Sequence, residues 1–257
     1  MTDAIIWLVT LPLAGALATL LLPRSATAVA IGAGLATTVA AGLLLFGVAT
    51  QGTLHYEIGG WSAGLGIALR ADGLSALLLM MTALVALAAS VYASTYFSAD
   101  STRASFWPLW LLLWTSLNAL FLSSDLFNLY VTLELLGLSA VSLAALGGKG
   151  TAVAAALRYL LVGLLGSMMF LTGVSLIYAG YGTLDLATLQ RVVEPGPIAW
   201  TALAMMTAGL LLKTALFPLH FWLPPAHASA PAPVSAVLSA LVVKAAVYLV
   251  LRLWLDV

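Results

Sequence analysis

Three ionisable residues stand inside otherwise apolar stretches of the sequence: Glu134, Lys213 and Lys244. A carboxylate and two ammonium groups enclosed by leucine, alanine and valine are suited to one kind of chemistry, the gain and loss of protons. Taking such groups out of water disfavours the charged form of each, so a proton passes between them at little cost. An ionisable side chain at the centre of a bilayer costs about 2.5–3.5 kcal/mol on insertion scales, and a leucine returns only about 0.3–0.6 kcal/mol. One reason to keep such groups is a buried ion pair that fixes helix register, a use attested for some buried pairs. The other is a proton or cation path. A single pair cannot absorb two lysines, so the second needs water, a hydroxyl or another acid, and that favours a hydrated path.

The stretch after Lys213 adds a break. Pro218 has no N–H and its ring collides with the carbonyl of Thr214, so a helix carrying Lys213 kinks or unwinds there. Pro224-Pro225 and Pro231-Ala232-Pro233 follow. Irregular backbone at membrane depth survives where it is buried in protein or lines water, and broken helices are where transporters build ion sites. An ordinary proline kink, common in membrane helices, is the plain alternative. His220 and His227 flank the break; each is either a relay member, because histidine titrates near neutral pH, or an interfacial side chain. Arg158 either snorkels from near the start of its span or faces Glu134. No His-x-x-x-His or Glu-x-x-His spacing falls on a helix, so no metal site is expected. The chain has no cysteine, which excludes thiolate metal centres, iron–sulfur clusters and disulfides within it.

The elements that hold these residues follow from composition. Hydrophobic residues make up 63% of the 257 and charged residues 7%, against about 25% charged in a soluble domain. Such a surface faces lipid or other protein. The formal net charge is +0 and no basic stripe occurs, which argues against a nucleic-acid partner. A helix needs about 20 apolar residues to cross a hydrocarbon core of roughly 30 Å, and on that measure spans fall near 4–22, 26–49, 73–97, 105–122, 126–146, 152–179, 198–221 and 232–254. The runs are too long and too uniformly apolar for barrel strands.

Asp3, where a positive charge would open a signal peptide, makes the first run a span. Gln51 to Asp72, with Gly59-Gly60, Gly64 and Gly66, is expected as an exposed loop, and Asp100 to Arg103 and Gly147 to Gly150 as tight polar turns. Between Gly182 and Pro197 a short interfacial helix is expected. Asp125 is expected to cap the Glu134 helix, and Arg70 and Asp72 to mark a helix entrance. Trp7, Trp61, Trp107, Trp200 and Trp254 lie near span ends, as interfacial aromatics do, while Trp110, Trp114 and Trp222 are expected to pack. Arg24, Arg103 and Lys149, with Arg158 as a fourth if it reaches the same side, against Arg70, Arg191 and Arg252 give a weak preference for an external amino terminus.

Several runs of residues carry a family resemblance. Asp125-Leu126-Phe127-Asn128-Leu129-Tyr130-Val131-Thr132-Leu133-Glu134 resembles the fifth-helix motif of antiporter-like subunits. These occur in respiratory complex I, membrane-bound hydrogenases and multisubunit cation/proton antiporters. Lys213 to Pro224 is similar to that family's broken seventh helix, and Ala230 to Leu238 with Lys244 to its loop and eighth helix. Gly59-Gly60-Trp61 followed by Asp72-Gly73-Leu74-Ser75 is similar to the D-type antiporter subunit in particular.

The resemblance implies an all-α membrane fold of about eight spans, the seventh broken at Pro218. It would be the first half of an inverted-repeat fold that usually has about fourteen spans. It implies a three-helix region over 1–103 and an ion-translocating bundle over 104–257. Glu134 would pair with Lys213, Lys244 would sit at the centre of a hydrated axis, and His227 would lie near the access path. Such subunits hold no redox cofactor. The implied partners are other membrane subunits, a separate second-half polypeptide among them, with protons and Na+ or K+ as cargo, in a bacterial or archaeal cell membrane. The alternatives are a proton-pumping subunit of an NADH-quinone oxidoreductase or hydrogenase complex, and a structural subunit or fragment without transport of its own. A quinone-site subunit ranks lowest, because no polar pocket for a quinone head group stands out.

Overall fold

The computed structural model describes residues 3–61, 66–97, 100–148 and 150–256. Gly64, Lys149 and the chain end at Val257 lie outside the described residues. Among the described residues the regular structure is helical apart from one hairpin. In order it forms α1 (Asp3–Leu21), α2 (Ala26–Gln51), the strands β1 (Leu54–Glu57) and β2 (Ala68–Ala71), α3 (Gly73–Tyr96), α4 (Asp100–Leu122), α5 (Leu126–Ala144), α6 (Gly150–Tyr181), α7 (Leu186–Val192), α8 (Pro197–Lys213), α9 (Leu223–Ser229), α10 (Ala232–Val237), a π-helical stretch over Leu238–Val242, and α11 (Val243–Asp256).

Among the described residues seven helical stretches are long and apolar enough to cross a membrane, the last being α10 to α11 taken together, Ala232–Asp256. The eighth, α8, has 17 residues and reaches only about 26 Å at 1.5 Å per residue. The protein is a multi-pass integral membrane protein, and its seven long apolar stretches together with α8 follow the order expected from hydropathy.

α4 is the innermost helix of the first four spans. Its Phe106, Trp107, Trp110, Trp114, Leu117 and Phe121 are buried, and α1, α3 and α5 pack around it. Two polar side chains of α4 donate across to neighbouring helices. Trp110 Nε1 donates to Ser90 at 2.8 Å and Asn118 Nδ2 to the Leu8 carbonyl at 2.7 Å. Trp107 is a correction: it is fully buried, and its Nε1 donates to Thr27 at 3.0 Å. Trp7, Trp61, Trp200 and Trp254 are exposed, and Trp110, Trp114 and Trp222 pack inside.

The stretch from Gln51 to Asp72 is not simply an exposed loop. β1 and β2 pair antiparallel, with Leu54 opposite Ala71 and His55 opposite Arg70. Leu54, Leu69 and Ala71 are buried while His55 and Glu57 face out, the alternation of a strand covered on one side. Ser124 donates to the Ala68 carbonyl at 2.8 Å and ties the hairpin to the α4–α5 turn.

A second correction concerns Asp100 to Arg103, which begin α4 instead of forming a turn. Asp125 does cap α5, accepting from the N–H groups of Phe127 and Asn128. The short helix after Gly182 is α7, capped by Asp185, with Leu186 and Leu189 buried in the protein.

Candidate functional site

Glu134 lies eight residues past Leu126 on α5, about 12 Å along the helix. Lys213 is the last residue of α8. The two meet inside the bundle, with Lys213 Nζ 3.0 Å from Glu134 Oε1 and their side chains 10% and 19% exposed. Two features bring them together.

The first is glycine. α6 and α8 pack so closely that a Cβ on Gly209 would stand 2.3 Å from the Gly166 carbonyl oxygen, and one on Gly173 2.4 Å from Met206. Small residues permit this approach between membrane helices. Gly209 lies four residues before Lys213, on the same helix face, so the close contact carries the lysine in toward α5.

The second is the helix end. Pro218 excludes the carbonyl of Thr214 from helical geometry, and α8 stops at Lys213 with Thr214 as its cap. The break therefore comes before the proline, ahead of the expected end near 221. Ala215 follows with a left-handed φ of 52°. The Leu212 carbonyl freed by the break accepts from Trp222 Nε1 at 3.1 Å. The last turn of a helix carries partial negative charge, which favours a cation, and Lys213 occupies that turn.

A cavity of about 40 Å³ adjoins the pair, walled by Gly137, Tyr159, Gly163, Trp222, Val242 and Ala246 with Glu134 and Lys213. At 10–15 Å³ per water it has room for about three. Tyr159 and Trp222 stack across one side, their centroids 4.5 Å apart. Ser167 on α6 is fully buried and its hydroxyl donates to Glu134 Oε1.

The remaining candidates do not join this cluster. Lys244 is exposed, and its ammonium donates to the Ser239 carbonyl of the π-helical stretch. Val242 and Ala246, two residues to either side, line the cavity, so Lys244 stands on the opposite face of its helix. Among the described residues Lys244 therefore takes no part in the cavity beside Glu134 and Lys213. Arg158 is exposed on α6, and the ion pair formed by Glu134 is with Lys213; of the two alternatives for Arg158, facing Glu134 is not realised. His220 is exposed beside Phe217, ring centroids 5.6 Å apart. His227 is half-buried, its Nδ1 2.8 Å from Ser235 Oγ, joining α9 to α10. No group of three or more metal-ligating side chains occurs among the described residues.

The sequence reading missed Ser167 and the glycine contact, although the Gly209 to Lys213 spacing of four was available in the sequence. It also missed a second charged cluster, in which Arg252 on α11 reaches Asp72 at 2.7 Å.

Residues 123–257 match the family described as NADH:quinone oxidoreductase/Mrp antiporter, TM. The N-type subunit of the NADH-quinone oxidoreductase of Desulforudis audaxviator is 41% identical over 204 residues, 77% of this chain and 40% of that protein. The D-type subunit of the Na(+)/H(+) antiporter of Bacillus subtilis is 34% identical over 222 residues, 84% of this chain and 44% of that protein. Among solved structures, a chain of the membrane-bound sulfane sulfur reductase, an archaeal respiratory membrane complex, superposes with a TM-score of 0.92 at 30% identity, over 97% of this chain and 52% of that one. The chain thus spans about half the length of the relatives it matches, or somewhat less.

Proposed function

Because the chain belongs to the NADH:quinone oxidoreductase/Mrp antiporter transmembrane family, we propose that it forms an ion-translocating helix bundle of a multisubunit membrane complex, with Glu134 and Lys213 as its proton-carrying groups. The observation that carries this reading is the Glu134–Lys213 pair, 3.0 Å apart at a helix end inside the membrane and beside a cavity with room for water. A proton reaching Glu134 cancels the charge that holds the ammonium. Lys213, at the C-terminal end of α8 and next to irregular backbone, is then free to swing or to give up its own proton. Return of the negative charge on Glu134 draws it back. The chain holds the means to couple two protonation events and moves a proton part of the way across the bilayer.

Cation/proton antiport is the reading we favour for the whole complex, with Na+ or K+ as counter-ion, in a bacterial or archaeal membrane. The oxidoreductase relative supports a second reading, a pump driven by redox subunits. The test uses the complex in inverted membrane vesicles, with proton flux followed by a pH-sensitive dye. Lys213→Met removes the charge at nearly constant volume. It is expected to lower flux at least about tenfold while the complex still assembles; full flux would overturn the proposal. Redox subunits that co-purify would select the second reading for the drive.

The exposed face of α11 bears on the partner. Lys244 lies about 18 Å along the last span, counted from Ala232 at 1.5 Å per residue. Val247, Leu251 and Trp254 continue its face and are exposed. An ammonium at that depth turned to lipid is costly, so this face is the seat of further protein, from the same polypeptide or another of the complex, offering a polar group or water to Lys244. A photocrosslinker placed at Val247 is expected to form protein adducts, within its own polypeptide or to another of the complex, and adducts with lipid alone would refute the assignment.

A further inference from the structure

Resting on that reading of Glu134, we infer that Ser167 is a positioning residue, whose hydroxyl holds the Glu134 carboxylate in place as Lys213 arrives and leaves. A hydroxyl in a membrane helix ordinarily turns back on its own backbone and bonds the carbonyl one turn earlier, whether exposed or buried. Thr172 and Ser175, on the same helix, do this with Met168 and Leu171 at 2.8 and 2.9 Å. Thr115 and Thr132 do it on α4 and α5. Ser167 turns away from its helix and donates to Glu134.

Its location makes that bond available. Gly166, the residue before it, is the site of closest approach to α8, so Ser167 is carried against α5 at the depth of the pair. Both donors, Lys213 Nζ and Ser167 Oγ, converge on the same oxygen, Oε1 of Glu134. Oε2 is thereby left as the oxygen for a proton arriving from the cavity, while Oε1 stays tethered by a neutral donor that does not move with the ion. When Lys213 swings out, the carboxylate keeps a hydrogen bond and its place.

The other titratable groups around Glu134 are Tyr130, one turn earlier on α5, and Tyr159 across the cavity. Neither donates to Glu134, so Ser167 is the neutral donor whose removal the carboxyl will register.

The test is made in the assembled complex with Ser167→Ala and Ser167→Thr. Proton flux is one readout. The other is the rate at which dicyclohexylcarbodiimide, a reagent for protonated carboxyls in apolar surroundings, modifies Glu134, read by mass spectrometry of its peptide. A hydroxyl bonded to the carboxylate favours the anion. Ser167→Ala is therefore expected to assemble normally, to label about tenfold faster and to pass protons several-fold more slowly. Ser167→Thr, which keeps the hydroxyl, returns both within about twofold of the parent. Unchanged labelling in Ser167→Ala overturns the inference, as does a Thr variant as impaired as the Ala variant. If Ser167→Ala fails to accumulate, Ser167→Cys keeps the volume with a weaker donor; intermediate labelling supports the inference and parental labelling overturns it. Labelling does not depend on flux. Should neutral substitutions at Glu134 and Lys213 leave flux intact, the transport reading fails, and the labelling still decides the role of Ser167.

Discussion

Glu134→Gln is expected to lower proton flux through the complex at least about tenfold, with the complex still present in the membrane in normal amount. Glutamine keeps the shape of the side chain and the acceptor for Ser167 and Lys213, and loses only the capacity to take up and release a proton. Removing one partner of a buried ion pair ordinarily destabilises by about 3–5 kcal/mol, because a charge is left uncompensated. Here that cost is capped. A buried amine left without a partner escapes it by giving up its proton, and the cavity beside Lys213 has room for water. Loss of flux with retained assembly is the signature of a transfer group. If the pair were only a structural pin, assembly would fall, flux would track the amount of complex, and the double variant Glu134→Gln with Lys213→Met would restore both. The measurement is flux per assembled complex for the two single variants and the double, with quantitative immunoblots. A double variant that assembles and stays silent supports transfer; one that regains flux sinks it.

Much of this architecture is legible because the bilayer imposes one rule on every span, a long apolar run, and breaks in that rule are conspicuous. The pairing of Glu134 with Lys213 follows from family resemblance and agrees with the geometry, since two opposite charges at comparable depth in neighbouring helices have few other partners.

Depth, however, is all that a uniformly apolar helix displays. Lys244 lies deep in its span, but nothing in a run such as Leu241-Val242-Val243-Lys244-Ala245-Ala246-Val247 tells which side faces protein. The structure turns that lysine outward. Trp107 misleads for the same reason: closeness to a span end says nothing of the Thr27 hydroxyl waiting on α2. The hairpin escapes notice because its strands are four residues each, too short for alternation to stand out beside the glycines. The break at Lys213 is legible only as a region. Proline dictates which carbonyl must leave the helix, and the last helical residue depends on Trp222, which caps Leu212 from ten residues downstream.

Least visible of all is the contact between Asp72 and Arg252, separated by 180 positions, and its removal is expected to have the largest structural effect. Arg252 is buried and its guanidinium makes four polar contacts. It takes Asp72 in a two-pronged contact at 2.7 Å, reaches Asp256 at 3.3 Å, and donates from Nε to the Tyr248 hydroxyl at 2.8 Å. Tyr248 passes the chain on to the Phe121 carbonyl at 3.0 Å, and Arg70 adds a second cation 3.1 Å from Asp72. α11, which bears Lys244, is thus fastened to β2, to the start of α3 and to the end of α4.

Arg252→Ala leaves the carboxylates of Asp72 and Asp256 with Arg70 alone, at 3.1 and 3.8 Å, and about 1–3 kcal/mol of stability is expected to go with the lost hydrogen bonds. Arg252→Lys should recover only part, since an ammonium cannot reproduce the planar two-pronged contact. Asp72→Asn separates two roles. Asparagine caps a helix about as well as aspartate, so α3 keeps its bond to Ser75 while Arg252 is left with Asp256 as its one carboxylate.

Acid makes the same cut. Burial alone would raise the Asp72 carboxyl, but the hydrogen bonds from Arg252 and Ser75 and the charges of Arg252 and Arg70 outweigh it and hold it well below its ordinary value of 3.8. A group lowered on folding contributes stability above its unfolded value and loses it as pH falls through the folded one. The clamp is therefore at full strength from about pH 5 upward and weakens progressively as the pH falls below that. Thermal unfolding of the purified complex, followed by tryptophan fluorescence, should show Asp72→Asn lowering the midpoint at pH 7 by several degrees, with a smaller difference from the parent as the pH is taken below 4. Equal midpoints at pH 7 would mean that the hairpin and α11 are held together by apolar packing alone.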